Sequence, residues 1–407
     1  MSKKQGRDTS GFGKHLRVLR KKRKITMKNL AKQLGVSESY ISRLESSERH
    51  PDKELILKME PILFPEGNPS ELDKLLISAD YTPVNLDQKT GQDDVVLHFQ
   101  QLIEKDPDNF RAYNALIILL IKQGNLKAAQ QRIETGMTSF KNSVQLKVLD
   151  AALQLAQKDL DAAIALQQEA LAAYATLDAQ AKKQMTLGES DLLYNLGDMY
   201  FVQGYGLVDV YLQKKTKSAY TSAHRALEQA ADTLARARDE DPDNVLILDE
   251  HAKVLFNQAY LEESAGHPSS YTQAIDALQQ VIHSEHKLLL NYTNLMESTL
   301  SLIHAYAKIR EFATAEQHIH MVECCLPNYW MVHYIKACVY SLKYLQTEDS
   351  EDYGRGISSL QRAVSAPEKH NRTAQEAPYD PDLMPLQKVN PTAFQDVLQS
   401  RAPEALS

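Results

Sequence analysis

The tetrapeptide Asp-Pro-Asp-Asn occurs twice in the chain, at residues 106–109 and 241–244, and an apolar-periodic helix pattern follows it each time. Residues 106–140 span about one unit of roughly 34 residues, in which the turn "QGNLKAA" with Gly124 separates two helices. One such helix pair cannot bury its apolar face alone, so neighbouring pairs must stack. The repetition therefore predicts an all-α chain in which about six helical pairs stack between residues 95 and 366.

The residue order in the first unit resembles a known repeat family. Tyr113 and Leu116 on the first helix, Gly124 at the turn and Ala129 on the second helix follow the order of tetratricopeptide (TPR) repeats. This resemblance implies a TPR-like α-solenoid, a right-handed superhelix whose concave face binds a peptide or protein ligand.

Four asparagines on or near the predicted first helices are candidate ligand contacts, because one carboxamide can both donate to and accept from a peptide backbone. They are Asn114, Asn195, Asn257 and Asn294. The alternative is that these side chains are exposed or cap their local backbone. The 19 tyrosines are expected to pack between repeats and not to form a ligand cage.

The charge of the chain is unevenly distributed. Residues 1–60 contain 16 lysines and arginines against 7 acidic residues, whereas the remaining residues contain 30 basic and 46 acidic ones. A basic segment on an otherwise acidic protein, with a total formal charge of -7, is typical of a polyanion-binding head. The alternative is a solvated basic helix face.

Residues 11–81 have the pattern of a five-helix domain. Its second and third helices are short, and Gly35 lies between them, where a left-handed turn can end the first of the two. Thr26 and Ser37 can each cap the start of a helix. Two short helices joined by such a turn form a helix-turn-helix.

Residues 12–63 resemble the Xre family, which has the fold of the Cro and lambda-type phage repressors. The matching positions are Leu30-Ala31, Gly35-Val36-Ser37, Ile41-Ser42, Leu44-Glu45, Glu48-Arg49 and Pro51. The resemblance implies a lambda-repressor-like domain that binds double-stranded DNA as a homodimer. Its third helix would lie in the major groove, with the two half-sites about one helical turn apart.

The resemblance also assigns roles to individual residues. The base-reading candidates are Glu38, Ser39 and Arg43, and a guanidinium at Arg43 could contact guanine O6 and N7 together. The candidate phosphate contacts, which fix register, are Lys28, Lys32, Ser37 and Ser42. Arg20 and Glu45 match a buried structural ion pair. The alternative for Arg43 is an exposed arginine without a partner.

Two positions depart from the family pattern. Met27 stands where members commonly have a glutamine that contacts the DNA backbone, and Ser47 replaces a common glycine after the third helix. The methionine loses that contact, and the serine makes the turn less permissive. The departures leave open a protein-binding role for the helix-turn-helix.

Four segments follow from these patterns. The helix-turn-helix domain covers residues 11–81, a polar linker covers 82–94, and the repeat array covers 95–366. The proline-rich segment 367–407 has little periodicity and predicts a flexible C-terminal tail.

The combination resembles bacterial and phage-type regulators that join an Xre-type domain to a tetratricopeptide array. This resemblance implies a transcriptional regulator whose array dimerises and senses a peptide or protein ligand. The alternative is an interaction scaffold whose helix-turn-helix binds protein. No phosphate loop, nucleophile elbow or metal-ligand spacing is present, so we expect no enzyme activity, no cofactor and no metal. Three cysteines without a disulfide framework and no apolar run of about 20 residues predict a cytoplasmic protein without a membrane span.

Overall fold

A computed structural model describes residues 10–46, 49, 51, 53–65, 69–79, 81, 92–140, 143–185, 187–287, 290–367 and 371–400. All regular secondary structure within these ranges is helical, which confirms the predicted all-α class. None of the helices there is long and apolar enough to cross a membrane. The chain divides into two compact units, residues 1–173 and 174–407.

The first unit begins with the predicted five helices. They are α1 (Ser10–Lys22), α2 (Met27–Leu34), α3 (Glu38–Glu45), α4 (Lys53–Leu63) and α5 (Pro69–Ser78). They surround one core in which Leu16, Leu30, Ile41 and Leu75 are fully buried. Amphipathic helices of this length are stable mainly through such shared burial.

Helical pairs complete the first unit. Their helices are α6 (Gln92–Lys105), α7 (Phe110–Lys122), α8 (Leu126–Ser139), α9 (Val144–Ala156) and α10 (Leu160–Ala175), the last of which crosses into the second unit. Gly124 makes the turn between α7 and α8 with a φ of +73°. Lys158 takes the same left-handed conformation, with a φ of +67°, between α9 and α10.

The second unit continues the pattern with longer helices. These are α11 (Ala179–Gln184), α12 (Glu189–Lys214), α13 (Lys217–Glu240), α14 (Val245–Ser264), α15 (Thr272–His283), α16 (Tyr292–Lys308), α17 (Phe312–Cys325), α18 (Trp330–Thr347) and α19 (Ser350–Ser365). Gly197 in α12 lies so close to Leu234 in α13 that an added Cβ would be 2.6 Å from the leucine Cγ. The small residue lets these two helices approach each other closely.

The described part of the predicted flexible tail is folded, so that prediction is wrong for residues 371–400. They form α20 (Thr373–Glu376), a 3₁₀ turn (Ala377–Tyr379), α21 (Met384–Val389) and α22 (Pro391–Gln399). Leu383, Leu386 and Phe394 are fully buried in one cluster with Leu360 of α19. Burial of these apolar side chains stabilises the segment, whereas its prolines only divide it into short helices.

Three stretches of the predicted linker and tail lie outside the described residues. They are 82–91 of the linker and 368–370 and 401–407 of the tail, while residues 92–94 of the linker already belong to α6.

Substitutions at the two left-handed turns should change the stability of the first unit in opposite directions. Gly124→Ala should destabilise the first unit by about 1 kcal/mol, because alanine disfavours a positive φ. Lys158→Gly should stabilise it by about 0.5 kcal/mol, because it relieves the same strain. Native-state amide hydrogen exchange of α7 to α10 measures both effects.

Gly206→Ala is the matched control. Gly206 lies in α12 without a positive φ and with open space around its Cα. Alanine should therefore stabilise α12 by roughly 1 kcal/mol through helix propensity. Equal effects of alanine at positions 124 and 206 would contradict the explanation from backbone conformation.

Candidate nucleic-acid interface and ligand cavity

The turn between α2 and α3 is fixed by local hydrogen bonds. Thr26 caps α2 by accepting the backbone N–H of Asn29 at 3.1 Å, and Ser37 caps α3 by accepting that of Tyr40 at 3.2 Å. Gly35 ends α2 with a φ of +68°. Such caps satisfy backbone donors that a helix leaves free at its N-terminus, so they define where α3 starts.

The buried and exposed faces of α3 are distinct. Ile41 and Leu44 are fully buried in the core of the five-helix domain. All seven predicted DNA contacts have exposed side chains: Lys28, Lys32, Ser37, Glu38, Ser39, Ser42 and Arg43. The first two lie on α2 and the others on α3 or its cap, so the helix-turn-helix presents one polar surface to solvent.

Arg43 is oriented by its own helix. Its Nε donates to the Ser39 carbonyl at 3.2 Å, and one terminal nitrogen donates to the Ser39 hydroxyl at 3.3 Å. The Ser37 and Ser39 hydroxyls are 3.2 Å apart. A guanidinium has five N–H donors, so Arg43 keeps three for another partner.

Arg20 and Glu45 join α1 to α3. The Arg20 Nε and one terminal nitrogen donate to the two Glu45 carboxylate oxygens at 2.5 and 2.9 Å. The other terminal nitrogen donates to the Ile25 carbonyl at 2.8 Å. The two side chains are only 10% and 7% exposed, which makes the pair bidentate and largely desolvated.

Three further residues near α3 bear on the interface. Arg49, which the sequence analysis did not assign to DNA, is exposed and lies over the Tyr40 ring at 4.6 Å from its centroid. Met27, which replaces the glutamine common in the family, packs partly buried against the core of the domain. Ser47 lies outside the described residues.

The second unit contains a cavity of about 490 Å³. Four helices, α12, α14, α16 and α18, line it together with the C-terminal segment 371–400. Of the four candidate asparagines only Asn257 lines it, and the Asn257 carboxamide donates to the Lys253 carbonyl of its own helix at 2.9 Å. Asn195 and Asn294 lie elsewhere in the second unit, and Asn114 lies in the first.

Buried charges surround the cavity on the α12–α14 side. Asp249 is 2% exposed, pairs with Lys253 at 2.8 Å and accepts a hydrogen bond from the Ser298 hydroxyl. Burial, together with the nearby charge of Asp198, raises the pKa of Glu250 to about 8 against the opposing effect of Lys253. Burial also raises the pKa of Asp198, which shares a hydrogen bond with Glu250.

Two aspartates anchor the C-terminal segment beside the cavity. Asp380 accepts hydrogen bonds from the hydroxyls of Tyr260, at 2.8 Å, and Tyr334. Asp382 contacts His304 Nε2 at 2.7 Å and Lys308 Nζ at 2.5 Å. Burial opposes ionisation of Asp382, but the His304 hydrogen bond and the Lys308 charge hold its pKa at about 2. The segment is thus attached by polar contacts as well as by its apolar core.

No sequence signal indicated this cavity. Its lining comes from positions between Phe201 and Asp380, and the C-terminal part of it belongs to the segment that composition predicted to be flexible. Tyr205 and Tyr260 line it, although the tyrosines were expected to serve only packing between repeats.

Removing one partner of the Arg20–Glu45 pair should destabilise the domain more than removing both. Arg20→Met leaves the Glu45 carboxylate buried without its partner and should destabilise the five-helix domain by about 3 kcal/mol. Adding Glu45→Leu should recover most of that loss, since it removes the unpaired charge. Amide hydrogen exchange of α1 and α3 reports both variants, and a double variant no more stable than Arg20→Met would contradict the account.

Glu250 should make the second unit less stable at alkaline pH. The folded pKa of Glu250, about 8, exceeds the ordinary carboxyl value, so the stability that its neutral carboxyl contributes is fully present below about pH 4.5 and is lost as the pH rises through 8. Glu250→Gln should match the wild type near pH 5 and exceed it by a few kcal/mol at most near pH 9. Urea unfolding followed by Trp330, the single tryptophan, measures this difference.

Asp276→Asn is the matched control for that experiment. Asp276 lies on α15, is exposed and does not line the cavity. Its stability difference from the wild type should not change with pH between 5 and 9. A Glu250→Gln difference that is equally flat would refute the raised pKa.

Two known families match the chain, one in the helix-turn-helix domain and one at the start of the helical repeats. Residues 16–62 match the family described as helix-turn-helix, and residues 85–170 match the family described as TT21 fifth ARM repeats domain. No curated protein matches the chain.

Two solved structures give the scale of the structural similarity. The human IFIT1 dimer with PPP-AAAA is 14% identical, with 94% of this chain and 84% of that one covered and a TM-score of 0.41. Bacillus thuringiensis PlcR in complex with the peptide PapR7 and DNA is 16% identical, with 81% and 98% covered and a TM-score of 0.32. The family matches and the helix order together show an N-terminal helix-turn-helix domain followed by a helical-repeat region that resembles ARM and tetratricopeptide proteins.

Proposed function

We propose that the protein is a sequence-specific DNA-binding transcriptional regulator. The observation that carries the proposal is the exposed polar face of α3, which begins at a Ser37 cap and is held on the core by Ile41 and Leu44. The match of residues 16–62 to the helix-turn-helix family supports it. In this motif the second helix enters the major groove.

The exposed side chains divide into two roles. Glu38, Ser39 and Arg43 read bases, with Arg43 contacting guanine O6 and N7 and Glu38 accepting from a cytosine amino group. The phosphate contacts are Lys28, Lys32, Ser37 and Ser42. The Ser39 contacts already hold Arg43 along α3, which lowers the entropy lost when its remaining donors meet a base.

The repeat region supplies dimerisation and sensing. Two helix-turn-helix domains joined through their repeats would bind two half-sites about one helical turn apart. A peptide or protein ligand of the repeats, with Asn257 as a contact, controls DNA binding if it prefers one arrangement of the two domains. The proposal assigns no reaction to the chain and places it in the cytoplasm, in keeping with the three free cysteines.

The test is selection of genomic fragments by the full-length protein near physiological salt, with Arg43→Ala in parallel. The wild type should enrich a two-fold symmetric motif, and the variant should lose about 1 to 3 kcal/mol of specific binding. The logarithm of wild-type affinity should fall with the logarithm of salt concentration, by about 0.9 for each phosphate contacted.

Lys127→Ala is the matched control for lost positive charge. Lys127 is exposed on α8, outside the helix-turn-helix, and its replacement should leave the motif and the affinity unchanged. If neither wild type nor control enriches any motif, and cell extract does not restore enrichment, the chain is not a DNA-binding regulator. A protein-binding scaffold would then be the better account.

A further inference from the structure

The cavity of the second unit has an aromatic wall. Seven of its lining residues are phenylalanine, tyrosine or tryptophan, among them Phe201, Tyr205, Phe256 and Trp330. Tyr205 is 52% exposed, so part of this aromatic surface faces solvent. Aromatic faces attract cations through the negative charge of the ring face.

The charged lining of the cavity has one dominant sign. Five carboxyl groups line it: Asp209, Glu250, Glu297, Glu376 and Asp380. Lys253 is the one lysine or arginine among the described lining residues, and it already pairs with Asp249 at 2.8 Å. The lining therefore has a surplus of acidic groups, which opposes an anionic occupant and favours a cationic one.

Two of these carboxyl groups lie where an incoming cation would reach them. Asp209 makes no hydrogen bond or ion-pair contact with any described residue, although the Arg372 charge acts on it from a distance. Glu376 pairs with Arg372 at 3.1 Å, and the Arg372 side chain is 56% exposed, which leaves that pair open to competition.

The environment of both groups penalises their negative charge. Burial raises the pKa of Asp209. Burial and the nearby Asp209 together raise the pKa of Glu376. A cation placed between them would reverse this penalty, because an opposite charge within a few ångströms favours the ionised carboxylate.

From this geometry we infer that the cavity binds an organic cation, a primary ammonium or guanidinium on a hydrocarbon stem. The charged end contacts Asp209 and Glu376, and the stem lies against Tyr205, Phe256 and Trp330. The inference deepens the sensing part of the proposed function, and it rests on that function only for the effect of the ligand on DNA binding.

The C-terminal segment is part of this site. Three residues of that segment line the cavity: Glu376, Tyr379 and Asp380. The Asp380 carboxylate accepts hydrogen bonds from the hydroxyls of Tyr260 on α14 and Tyr334 on α18. A bound cation that contacts both α12 and the segment would hold the two together. Amide exchange of residues 371–389 should therefore slow when the cation binds.

The test measures binding to the full-length protein without DNA, through the fluorescence of Trp330 and by calorimetry. The probes are hexylamine against 1-hexanol, and N-acetyl-lysine amide against N-acetyl-norleucine amide, so that each pair differs in its charged group. At least one cationic probe should bind about tenfold or more tightly than its neutral partner, as expected for a desolvated cation with carboxylate and aromatic contacts.

The two probe pairs distinguish the sources of the cation. Binding of hexylamine alone identifies a free amine, whereas binding of the lysine derivative identifies the basic side chain of a peptide. Failure of both cationic probes, or equal binding of cationic and neutral probes, overturns the inference. Because DNA is absent, either result leaves the DNA-binding proposal to its own test.

The double variant Asp209→Asn with Glu376→Gln tests the residues themselves. It should bind the cationic probe about tenfold more weakly and the neutral one unchanged. Neutral isosteres replace carboxyl groups whose pKa burial raises, so the variant should fold at least as well as the wild type. The exposed Asp276→Asn variant removes a charge outside the cavity and should bind normally. Unchanged cation binding by the folded double variant would overturn the site.

Discussion

Each helical pair in this chain depends on a neighbour to bury its apolar face. The close approach of Gly197 to Leu234, with room for no Cβ between them, is one point where two long helices meet this constraint. Because each repeat contacts only its neighbours, the stacking of helical pairs creates an extended surface that can bind a ligand. The cavity of the second unit is lined by α12, α14, α16 and α18, and some of its lining residues, such as Val208 and Phe256, also belong to the shared core.

Local signals were enough to predict the N-terminal domain. Thr26, Gly35 and Ser37 act on backbone groups within four residues of themselves, so these local signals mark where α2 begins, where α2 ends and where α3 begins. The exposed position of Arg43 follows from the same helical period that buries Leu44. Its bonds to Ser39 could not be read from that period, since an exposed arginine has many rotamers of similar energy.

Long-range contacts explain what the sequence could not predict. Asp380 lies 120 residues from Tyr260, whose hydroxyl donates to it, and Asp382 lies 74 residues from Lys308. Composition describes 367–407 as proline-rich and weakly periodic, which suits a flexible tail as well as short helices docked on a larger core. Only the positions of α14, α16 and α18 decide between the two, and no local pattern in the segment encodes them. Of the four candidate asparagines only Asn257 lines the cavity, because a shared residue type does not by itself specify a shared surface.

Burial stabilises the apolar side chains of the fold, but it destabilises the ionised carboxyl groups around the cavity. Glu250, Asp209 and Glu376 are all harder to ionise than in water, and neutral side chains of similar size would cost the fold less. Asp382 differs, since His304 and Lys308 compensate its charge and make it a structural anchor. Asp382 is compensated by its partners, whereas Asp209 and Glu376 beside the aromatic cavity are not fully compensated. A cation that binds next to them would remove part of this unfavourable free energy, which favours its binding. Because the anchored Asp382 and the under-compensated Glu376 both lie in the C-terminal segment, occupancy of the cavity and docking of that segment favour each other.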